Sequence, residues 1–185
     1  MRARTDDTRT RIRAVALDLF TAQGYEQTSL REIAERLGVT KAALYYHFRS
    51  KDEIVESILA DRLTTLEQLT EWAAGQPPGR ATRKEALRRY AAGLRAPEAR
   101  LLVRFYERNQ PALRASPTAA RLRDQMRAFV RTLRGADADL VGQLRTTLAF
   151  SALHAADVWL GDEPADAGQR LAAALTVGDE LLDRT

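Results

Sequence analysis

A short stretch of the chain carries side chains that are suited to contact nucleic acid. Residues 37–48 read LGVTKAALYYHF, with two tyrosines, a histidine and a lysine after a Gly-Val-Thr turn. If a helix follows Thr40, a rotation of about 100° per residue puts Leu44 and Phe48 on its inward side. The outward side and its flanks then carry Lys41, Ala42, Ala43, Tyr45, Tyr46 and His47. Alanines let a helix sit deep in a major groove, and methyl groups or a tyrosine ring can contact a thymine methyl.

Polar side chains around this stretch are suited to bind phosphate oxygens. They are Ser29, Thr40, Lys41, Tyr46, His47 and Lys51. Two predicted helix N-termini reinforce them, because the unpaired N–H groups there attract anions. The same pattern is also compatible with a helical hairpin inside a bundle, in which the aromatic rings pack against a longer helix. The residues alone leave both interpretations open.

The elements that would position these side chains have clear sequence signals. Ser29 and Glu32 form a capping box, which predicts the start of a short helix. Gly38 suits a left-handed turn conformation, and Thr40 can cap a second short helix over residues 41–47. Two short helices joined by a turn that contains glycine are the skeleton of a helix-turn-helix.

The rest of the chain is predicted to be helical as well. Apolar residues recur with the helical period, and no stretch shows sustained strand-like alternation. Ser50 and Glu53 form a second capping box that opens a long helix, and Gly24 ends the first helix. After a Pro- and Gly-rich break at residues 75–82, further helices are predicted over 83–95, 97–109, 117–134, 137–160 and 166–183. The predicted fold class is therefore all-α, with a four-helix start followed by a larger bundle.

Composition limits the classes of function. The 185 residues include no cysteine and two histidines, with no Gly-rich phosphate loop and no His-Glu metal spacing, so we expect no metal, no cofactor and no enzyme. The acidic pairs Asp162-Glu163 and Asp179-Glu180 fall at predicted helix ends, where they are ordinary partners of the helix dipole. The weakly charged run over residues 148–160 is too short to span a membrane, and the start shows no secretory signal. These features predict a cytoplasmic protein.

The net charge of +4 is unevenly distributed along the chain. Residues 1–50 carry a net +3, residues 51–79 a net −4 and residues 135–185 a net −6. Residues 80–134 hold fifteen Lys/Arg and four Asp/Glu, a net +11, and include two arginine ridges at i, i+4, i+8 spacing. The ridges are Arg100, Arg104 and Arg108, and Arg123, Arg127 and Arg131. They can either bind an anionic ligand, such as a coenzyme-A ester, or form solvated faces that balance the acidic segments.

The segment over residues 19–59 resembles the DNA-binding region of the tetracycline-repressor (TetR) family of bacterial regulators. It reads LFTAQGYEQTSLREIAERLGVTKAALYYHFRSKDEIVESIL. The matching positions are Phe20, Gly24-Tyr25, Thr28-Ser29, Ile33-Ala34, Gly38-Val39, Leu44-Tyr45, Phe48 and Ser50-Lys51-Asp52-Glu53. The resemblance implies that residues 41–47 are the recognition helix and that Lys51 anchors the DNA backbone. It also suggests contacts from an N-terminal arm, although a solvated basic tail is equally typical of Arg2, Arg4, Arg9, Arg11 and Arg13.

The resemblance further implies how the chain is organised and what it does. It implies a helix-turn-helix DNA-binding domain at residues 1–52, a connecting helix at about 51–74, and a helical ligand-binding and dimerisation domain at 53–185. It implies a repressor that binds an inverted-repeat operator in double-stranded DNA as a homodimer and is released by a small-molecule effector. Activation in place of repression stays open. The alternative from a different class is a helical protein–protein adaptor that does not bind DNA.

The last two predicted helices offer faces for such a homodimer. Small and apolar residues on these faces would permit close helix approach in an intermolecular four-helix bundle. They are Leu144, Leu148, Ser151, Ala152, Ala155, Trp159, Leu171, Ala172, Leu175, Gly178 and Leu182. Packing of the same faces within one chain is the alternative.

The larger and mildly polar residues on inward-facing stretches are candidates for an effector pocket. They are Trp72, Tyr90, Leu94, Leu102, Phe105, Tyr106, Asn109, Met126, Phe129, Phe150 and His154. Ordinary core packing is the alternative for each, because aromatic residues at helical spacing fill any helical core.

Overall fold

The computed structural model describes residues 2–134, 138–161 and 164–184. Over these residues the chain forms nine α-helices and a short 3₁₀ turn, without a strand. The helices are α1 (Arg2–Gln23), α2 (Leu30–Leu37), α3 (Lys41–His47), α4 (Lys51–Ala74), α5 (Arg80–Gly93), α6 (Pro97–Arg108), α7 (Pro117–Arg134), α8 (Leu140–Val158) and α9 (Ala167–Asp183), with the 3₁₀ turn at Ala112–Ala115. The all-α prediction is confirmed. No helix in this described part of the chain is long and apolar enough to cross a membrane.

Three predicted caps fix the starts of the helices around the turn. The side chains of Ser29, Thr40 and Ser50 each accept a hydrogen bond from the backbone N–H three residues on, at 3.2, 3.2 and 3.1 Å. Each bond satisfies one of the N–H groups that a helix start leaves unpaired, which is worth about 1 kcal/mol. Local sequence therefore determines where α2, α3 and α4 begin.

Two helices, α5 and α8, differ from the prediction by two or more residues at their ends. α5 begins at Arg80 and not at 83, because Gly79 takes the sharp turn with a φ of 150° and its carbonyl already accepts the N–H of Arg83 at 3.1 Å. α8 begins at Leu140, because the side chain of Asp139 caps it by accepting the N–H of Gly142 at 2.7 Å. It ends at Val158, two residues before the predicted end, and the predicted first residue, 137, lies outside the described residues.

A small apolar core holds the first helices together and joins them to α6. Its fully buried side chains include Ile12, Phe20, Ile33, Leu44, Phe48 and Ile54. The ring of Phe105, from α6, lies 5.6 Å from the ring of Phe20 and 6.3 Å from that of Tyr25. Phe105 was predicted to line an effector pocket, and it fills this core instead.

A larger core lies between α4, α5, α7, α8 and α9. Its buried side chains include Leu66, Leu87, Tyr90, Leu94, Phe129, Phe150 and Leu153. The rings of Phe129 and Phe150 meet edge to face at 5.1 Å, and both also contact the ring of Tyr90. Two of the predicted pocket residues, Leu94 and Phe129, are ordinary members of this core.

Candidate nucleic-acid interface

The outward face of α3 displays the side chains that the sequence placed there. Leu44 and Phe48 are fully buried beneath it, whereas Tyr46 is 81% exposed and Tyr45 43% exposed. Thr40, Lys41, Ala42 and Ala43 are also exposed, and His47 is half-buried. The Lys41 ammonium lies over the Tyr45 ring, 5.5 Å from its centre, so this face combines a positive charge with an aromatic ring.

The turn between α2 and α3 determines the angle at which this face is presented. Gly38 adopts the left-handed conformation, with a φ of 68°, that the sequence predicted for it. Its N–H donates to the carbonyl of Glu35 at 3.1 Å, and the N–H of Val39 donates to that of Ala34 at 3.0 Å. Ile33 and Ala34, on α2, are buried against the small core. A side chain at position 38 would be strained in this conformation, so the glycine sets the geometry.

Ser29 lies at the start of α2 with its side chain exposed. Its N–H donates to a carboxylate oxygen of Glu32 at 2.7 Å, and its hydroxyl accepts the N–H of Glu32, which completes the predicted capping box. The Ser29 hydroxyl also donates to the Glu32 carboxylate at 2.8 Å, and the bonds from the Ser29 N–H and hydroxyl to this carboxylate hold the pKa of Glu32 below its usual value. The carboxylate of Glu32 occupies the start of α2, and Asp52 and Glu53 lie in the first turn of α4, so the start of α3, whose first turn holds no acidic residue, is the more favourable site for an anion.

Lys51 lies at the start of α4 and is already engaged within the chain. Its ammonium donates to the carbonyls of Tyr25 and Glu26 at 2.7 and 3.3 Å and lies 4.5 Å from the centre of the Tyr25 ring. The Tyr25 hydroxyl bonds to Asp52, and burial, reinforced by that carboxylate, raises the pKa of Tyr25. Lys51 therefore fastens the loop after α1 to α4, whatever else it binds.

Two arginines of α1 that were predicted for an N-terminal arm make structural contacts. Arg9 donates to the carbonyl of His47 at 3.1 Å and its guanidinium lies 4.2 Å above the ring of Phe48. Arg13 donates to the Ser57 hydroxyl at 3.3 Å and pairs with Asp61 on α4. Among the other predicted arm residues, Arg11 is exposed, and the side chains of Arg2 and Arg4 lie outside the described residues.

A cavity of about 280 Å³ lies between α4, α5, α6, α7 and α8. Five of the predicted pocket residues line it: Tyr90, Leu102, Tyr106, Met126 and His154. Phe150 lines a neighbouring cavity with Met126 and His154, and Trp72 lines a separate one, where its ring stacks on Arg89 at 4.1 Å. Asn109 donates to the carbonyl of Phe105 at 2.9 Å at the end of α6, which is a capping role.

Arg62 also lines the 280 Å³ cavity, and sequence reasoning missed it. Its guanidinium lies 4.7 Å above the ring of Tyr90. The Tyr90 hydroxyl lies 2.7 Å from Nε2 of His154. Burial and then the Arg62 charge lower the pKa of His154 to about 4, so His154 is neutral at pH 7. The only sequence signal was that Arg62 is the sole arginine in the acidic block over residues 51–79.

The two arginine ridges do not converge on one ligand site. Arg100 donates to the carbonyl of Leu94 at 3.3 Å, and Arg104 lies 4.0 Å from the buried carboxylate of Asp157. Arg123 and Arg127 line the cavity, but Arg123 donates to the Tyr106 hydroxyl at 3.3 Å and Arg127 to Asp124 at 3.2 Å. These partners support the interpretation in which the positive charge of the ridges is balanced by other groups of the chain and does not bind an anionic ligand.

The predicted dimer face of α8 is exposed and apolar. Leu144 is 56% exposed and Trp159 79% exposed, with Leu148 and Ser151 also exposed and Ala152 and Ala155 partly so. Leu140 and Val141 extend this apolar surface toward the start of α8. Apolar side chains of this size that share one helix face are typical of a protein contact surface.

The predicted face of α9 needs a correction. Leu171, Gly178 and Leu182 are buried inside the chain, and a Cβ at Gly178 would lie 2.7 Å from Leu87 on α5. These three therefore cannot form a surface for a partner. Ala172 is exposed and Leu175 half-buried, and the exposed side of α9 also carries Ala173, Thr176 and Val177. Small apolar residues occur on both sides of α9, so its periodicity did not identify the inward side.

The part of the chain that the structure describes holds no group of three or more His, Cys, Asp or Glu that could bind a metal ion. Of the acidic pairs considered from the sequence, Asp179 lies 3.9 Å from the Lys84 ammonium, and Asp162 and Glu163 lie outside the described residues. The candidate interface itself is built from aromatic, small and basic side chains, which are suited to bind nucleic acid.

Comparison with known proteins matches the helix-turn-helix region. Residues 12–58 match the model of the family described as bacterial regulatory proteins, tetR family. The HTH-type transcriptional regulator SrpR of Pseudomonas putida is 43% identical over 65 residues, which are 35% of this chain and 30% of SrpR. TtgW, an uncharacterised HTH-type transcriptional regulator also of Pseudomonas putida, is 43% identical over 65 residues, 35% of this chain and 48% of TtgW. The matched segment thus spans less than half the length of these relatives.

Solved structures resemble the chain over nearly its whole length. AmtR of Mycobacterium smegmatis superposes with a TM-score of 0.74 at 24% identity, over 92% of this chain and 84% of AmtR. The TetR family transcriptional regulator PfmR of Thermus thermophilus superposes with a TM-score of 0.59 at 27% identity, over 94% of this chain and 97% of PfmR. The capped helix-turn-helix and the matched family model lead to one assignment: residues 12–58 are a helix-turn-helix region of the tetR family of bacterial regulatory proteins, in a chain that shares its overall fold with AmtR and with the TetR family regulator PfmR.

Proposed function

We propose that the chain is a ligand-responsive transcription repressor that binds an inverted-repeat operator as a homodimer. The exposed face of α3 is the observation that carries this proposal. A hairpin that only packed inside a bundle would bury its rings, whereas Tyr46 is 81% exposed and both alanines beside it are exposed. Such a face fits the major groove, where small residues permit close approach and aromatic rings contact base edges and methyl groups.

The side chains around α3 divide into two groups by what they can bind. Ala42, Ala43 and Tyr45 lie on the face that would meet the bases, and we assign sequence preference to them. Ser29, Thr40, Lys41, Tyr46, His47 and Lys51 surround that face, and we assign them to phosphate oxygens. The N-terminus of α3, capped by Thr40 and without an acidic residue in its first turn, adds backbone N–H donors for a phosphate.

The apolar surface of α8 supports the homodimer. Leu144, Leu148 and Trp159 would lose their contact with water in a pair of α8–α9 hairpins packed as a four-helix bundle. A twofold dimer of this kind carries two copies of α3. The two copies would enter successive major grooves on one side of the duplex, which requires an inverted repeat in the operator.

The cavity between α4 and α8 supports the response to a ligand. α4 lines this cavity with Arg62 and also carries Asp61, which pairs with Arg13 of α1. A ligand that moves α4 would therefore move α1 and change the separation of the two α3 helices. The change in DNA affinity is limited by the ligand's difference in affinity for the two conformations.

Selection of duplexes from a random pool at near-physiological salt tests the proposal. We expect enrichment of an inverted repeat with half-sites about one helical turn apart. Enrichment of a single half-site would support DNA binding but contradict a dimer that places two α3 helices on one operator. No enrichment from folded protein, also at low salt, would favour the adaptor.

Salt separates DNA binding from a protein-binding adaptor. DNA affinity should fall steeply between low and physiological salt, because several phosphate contacts release counterions. A protein partner bound through an apolar centre would respond much less.

A further inference from the structure

The cavity beside α4 combines apolar walls with Arg62, a half-buried arginine whose Nη2 atom is buried. Leu102, Val103, Leu122 and Met126 form apolar walls from α6 and α7. Arg62 enters from α4, and Tyr90 and His154 complete the lining from α5 and α8. A volume of about 280 Å³ is at the small end of ligand sites, which suits a compact molecule of low molecular weight.

Arg62 is not neutralised by any acid in the part of the chain that the structure describes. Its Nη2 is buried without a hydrogen-bond partner among those residues, and no described carboxylate lies within ion-pair distance of it. The adjacent acid, Asp61, is paired with Arg13 and lies on an exposed side of α4. A buried guanidinium N–H without an acceptor is costly, and a ligand oxygen would relieve that cost.

The other polar groups of the cavity already have partners. The Tyr90 hydroxyl and His154 Nε2 bond to each other at 2.7 Å, and His154 stays neutral at pH 7 because burial and the Arg62 charge lower its pKa to about 4. Arg123 donates to Tyr106, and Arg127 donates to Asp124. Glu107 also lines the cavity, but it is exposed to solvent, where its charge is screened. Arg123 has no acid partner among the described residues either, but of the three arginines that line this cavity only Arg62 has a buried nitrogen without an acceptor there, so Arg62 is the group that a ligand oxygen would bind.

We propose that the effector of this chain is a monocarboxylate with a compact apolar body, whose carboxylate accepts hydrogen bonds from Arg62. The planar guanidinium matches a carboxylate better than a hydroxyl or a neutral carbonyl, and the apolar walls take the rest of the molecule. This inference rests on the proposed ligand-responsive function and names the ligand class for it. The two arginine ridges considered from the sequence are not required, since their members at the cavity bind side chains of the protein.

Calorimetric titration of the free, full-length protein at pH 7 tests this proposal. The probes are three acids, hexanoate, octanoate and 4-phenylbutyrate, and the three alcohols that replace each carboxylate by CH₂OH. We expect at least one acid to bind once per chain and at least about tenfold more tightly than its alcohol. Equal affinity of acids and alcohols, or no saturable binding of any acid, would overturn the proposal.

Substitutions of two arginines that line the cavity test whether the preference for the acid over the alcohol depends on Arg62. Arg62→Met keeps the length of the side chain without the charge, and we expect it to remove the preference for the acid while the alcohol still binds. Arg62→Gln is a second variant with the same expectation, and circular dichroism checks that both are folded. Arg127→Met is the matched control, because Arg127 lines the same cavity but is paired with Asp124, and it should keep the preference. A preference that survives Arg62→Met and Arg62→Gln, or is lost equally in Arg127→Met, would contradict the assignment to Arg62.

The titration tests the ligand class and the duplex selection tests operator binding, so a negative result in one does not imply a negative result in the other. The calorimetric experiment contains no DNA, so absence of acid binding would leave operator binding intact and reject only the ligand class. If an acid binds, its effect on the selected duplex then shows whether the bound state releases DNA, as the proposed function requires.

Discussion

The Tyr90 hydroxyl and Nε2 of His154 lie 2.7 Å apart in the larger core, and Arg62 is stacked on the same tyrosine ring. Three polar groups from α4, α5 and α8 thus meet where the sequence predicted an ordinary apolar core or a ligand pocket. The arrangement forces His154 to remain neutral, because burial and the Arg62 charge both oppose a second positive charge.

This neutral histidine makes stability depend on pH. The unfolded chain takes up a proton on His154 near pH 6.5, whereas the folded chain does so only near pH 4. The free energy of unfolding should therefore fall as the pH is lowered from 6.5 towards 4. Well above pH 6.5, His154 is neutral in both the folded and the unfolded chain, so it causes no loss of stability. Between pH 7 and pH 5 the loss attributable to His154 should be about 2 kcal/mol.

Urea unfolding at pH 7 and pH 5, at one protein concentration, measures this loss. His154→Gln should show a smaller difference between the two pH values than the wild type. The control is His47→Gln, which changes the other histidine, half-buried at the end of α3, and should keep the wild-type difference. An unchanged difference in His154→Gln would show that other groups cause the pH dependence.

Tyr45→Ala should change which operator sequences are preferred. Tyr45 is 43% exposed and lies on the α3 face beside Ala42, where a ring can contact base edges. Removing it should cost about 1–3 kcal/mol at the bases it contacts and relax the preference there. Duplex selection with the variant and the wild type gives the comparison. An unaltered preference would count against the assignment of this face to the bases.

Lys51→Ala should weaken binding to all DNA sequences by about the same factor. A lysine that contacts phosphate adds affinity without sequence information, so the slope of log affinity against log salt should decrease in magnitude by about one. Titration of the selected operator and of a random duplex at several salt concentrations measures both effects. A loss confined to the operator would contradict the phosphate assignment.

The stability of Lys51→Ala must be measured alongside its DNA affinity. The Lys51 ammonium bonds to the carbonyls of Tyr25 and Glu26, so the substitution also leaves those two groups without a donor. We expect a lower melting temperature together with the loss of DNA affinity. Binding is therefore compared well below the melting temperature, where both proteins are folded.

The parts of the fold that the sequence predicted depend on residues close together in the chain. A cap bonds to a group three residues away, so Ser29, Thr40 and Ser50 were sufficient to place the starts of α2, α3 and α4. The exposed face of α3 followed from the positions of Leu44 and Phe48, because a short helix with two inward residues has only one outward side.

The parts that the sequence could not predict depend on distant residues. Arg9 belongs to a basic run that is also typical of a solvated tail, and only folding brings it over Phe48. Arg62 lines a cavity made by five helices, and no local pattern marks that meeting point. On α9, the sequence LAAALTVG has small apolar residues on every side, so the inward position of Gly178 depends on the closeness of α5 and α8.

Leu144→Asp should convert a dimer into a monomer. Leu144 is 56% exposed on the apolar surface of α8, and in the proposed dimer a carboxylate there would have to be buried against a second apolar helix. Sedimentation velocity at micromolar concentration should show a dimer for the wild type and a monomer for the variant. The control is Thr132→Asp, an equally acidic change at an exposed position of α7, which should remain dimeric. A wild-type monomer, or a dimeric Leu144→Asp, would exclude this surface as the interface.

Gly178→Ala should destabilise the chain although alanine favours helices. Its Cβ would lie 2.7 Å from Cδ2 of Leu87 and 3.1 Å from the backbone carbonyl of Ala149, so the buried Leu87 side chain must shift and the α8 backbone must move slightly. Overpacking costs about 1–3 kcal/mol and the gain in helix propensity is about 1 kcal/mol, so we expect a net loss in the free energy of unfolding of up to about 2 kcal/mol. The control is Gly93→Ala, at the end of α5, where the added Cβ would meet only Nη1 of Arg62 at an ordinary 3.6 Å, and we expect no loss.

The same variant distinguishes packing within the chain from packing between chains. If Gly178 contacts only α5 and α8 of its own chain, Gly178→Ala lowers the stability of a protein made monomeric by Leu144→Asp as much as that of the dimer. If the glycine instead permitted close approach of a partner helix, the substitution would weaken association and leave the monomer unaffected. Urea unfolding of both backgrounds, with sedimentation velocity for association, separates the two results. We expect the first, because the side of α9 that holds Gly178 is already covered by Leu87.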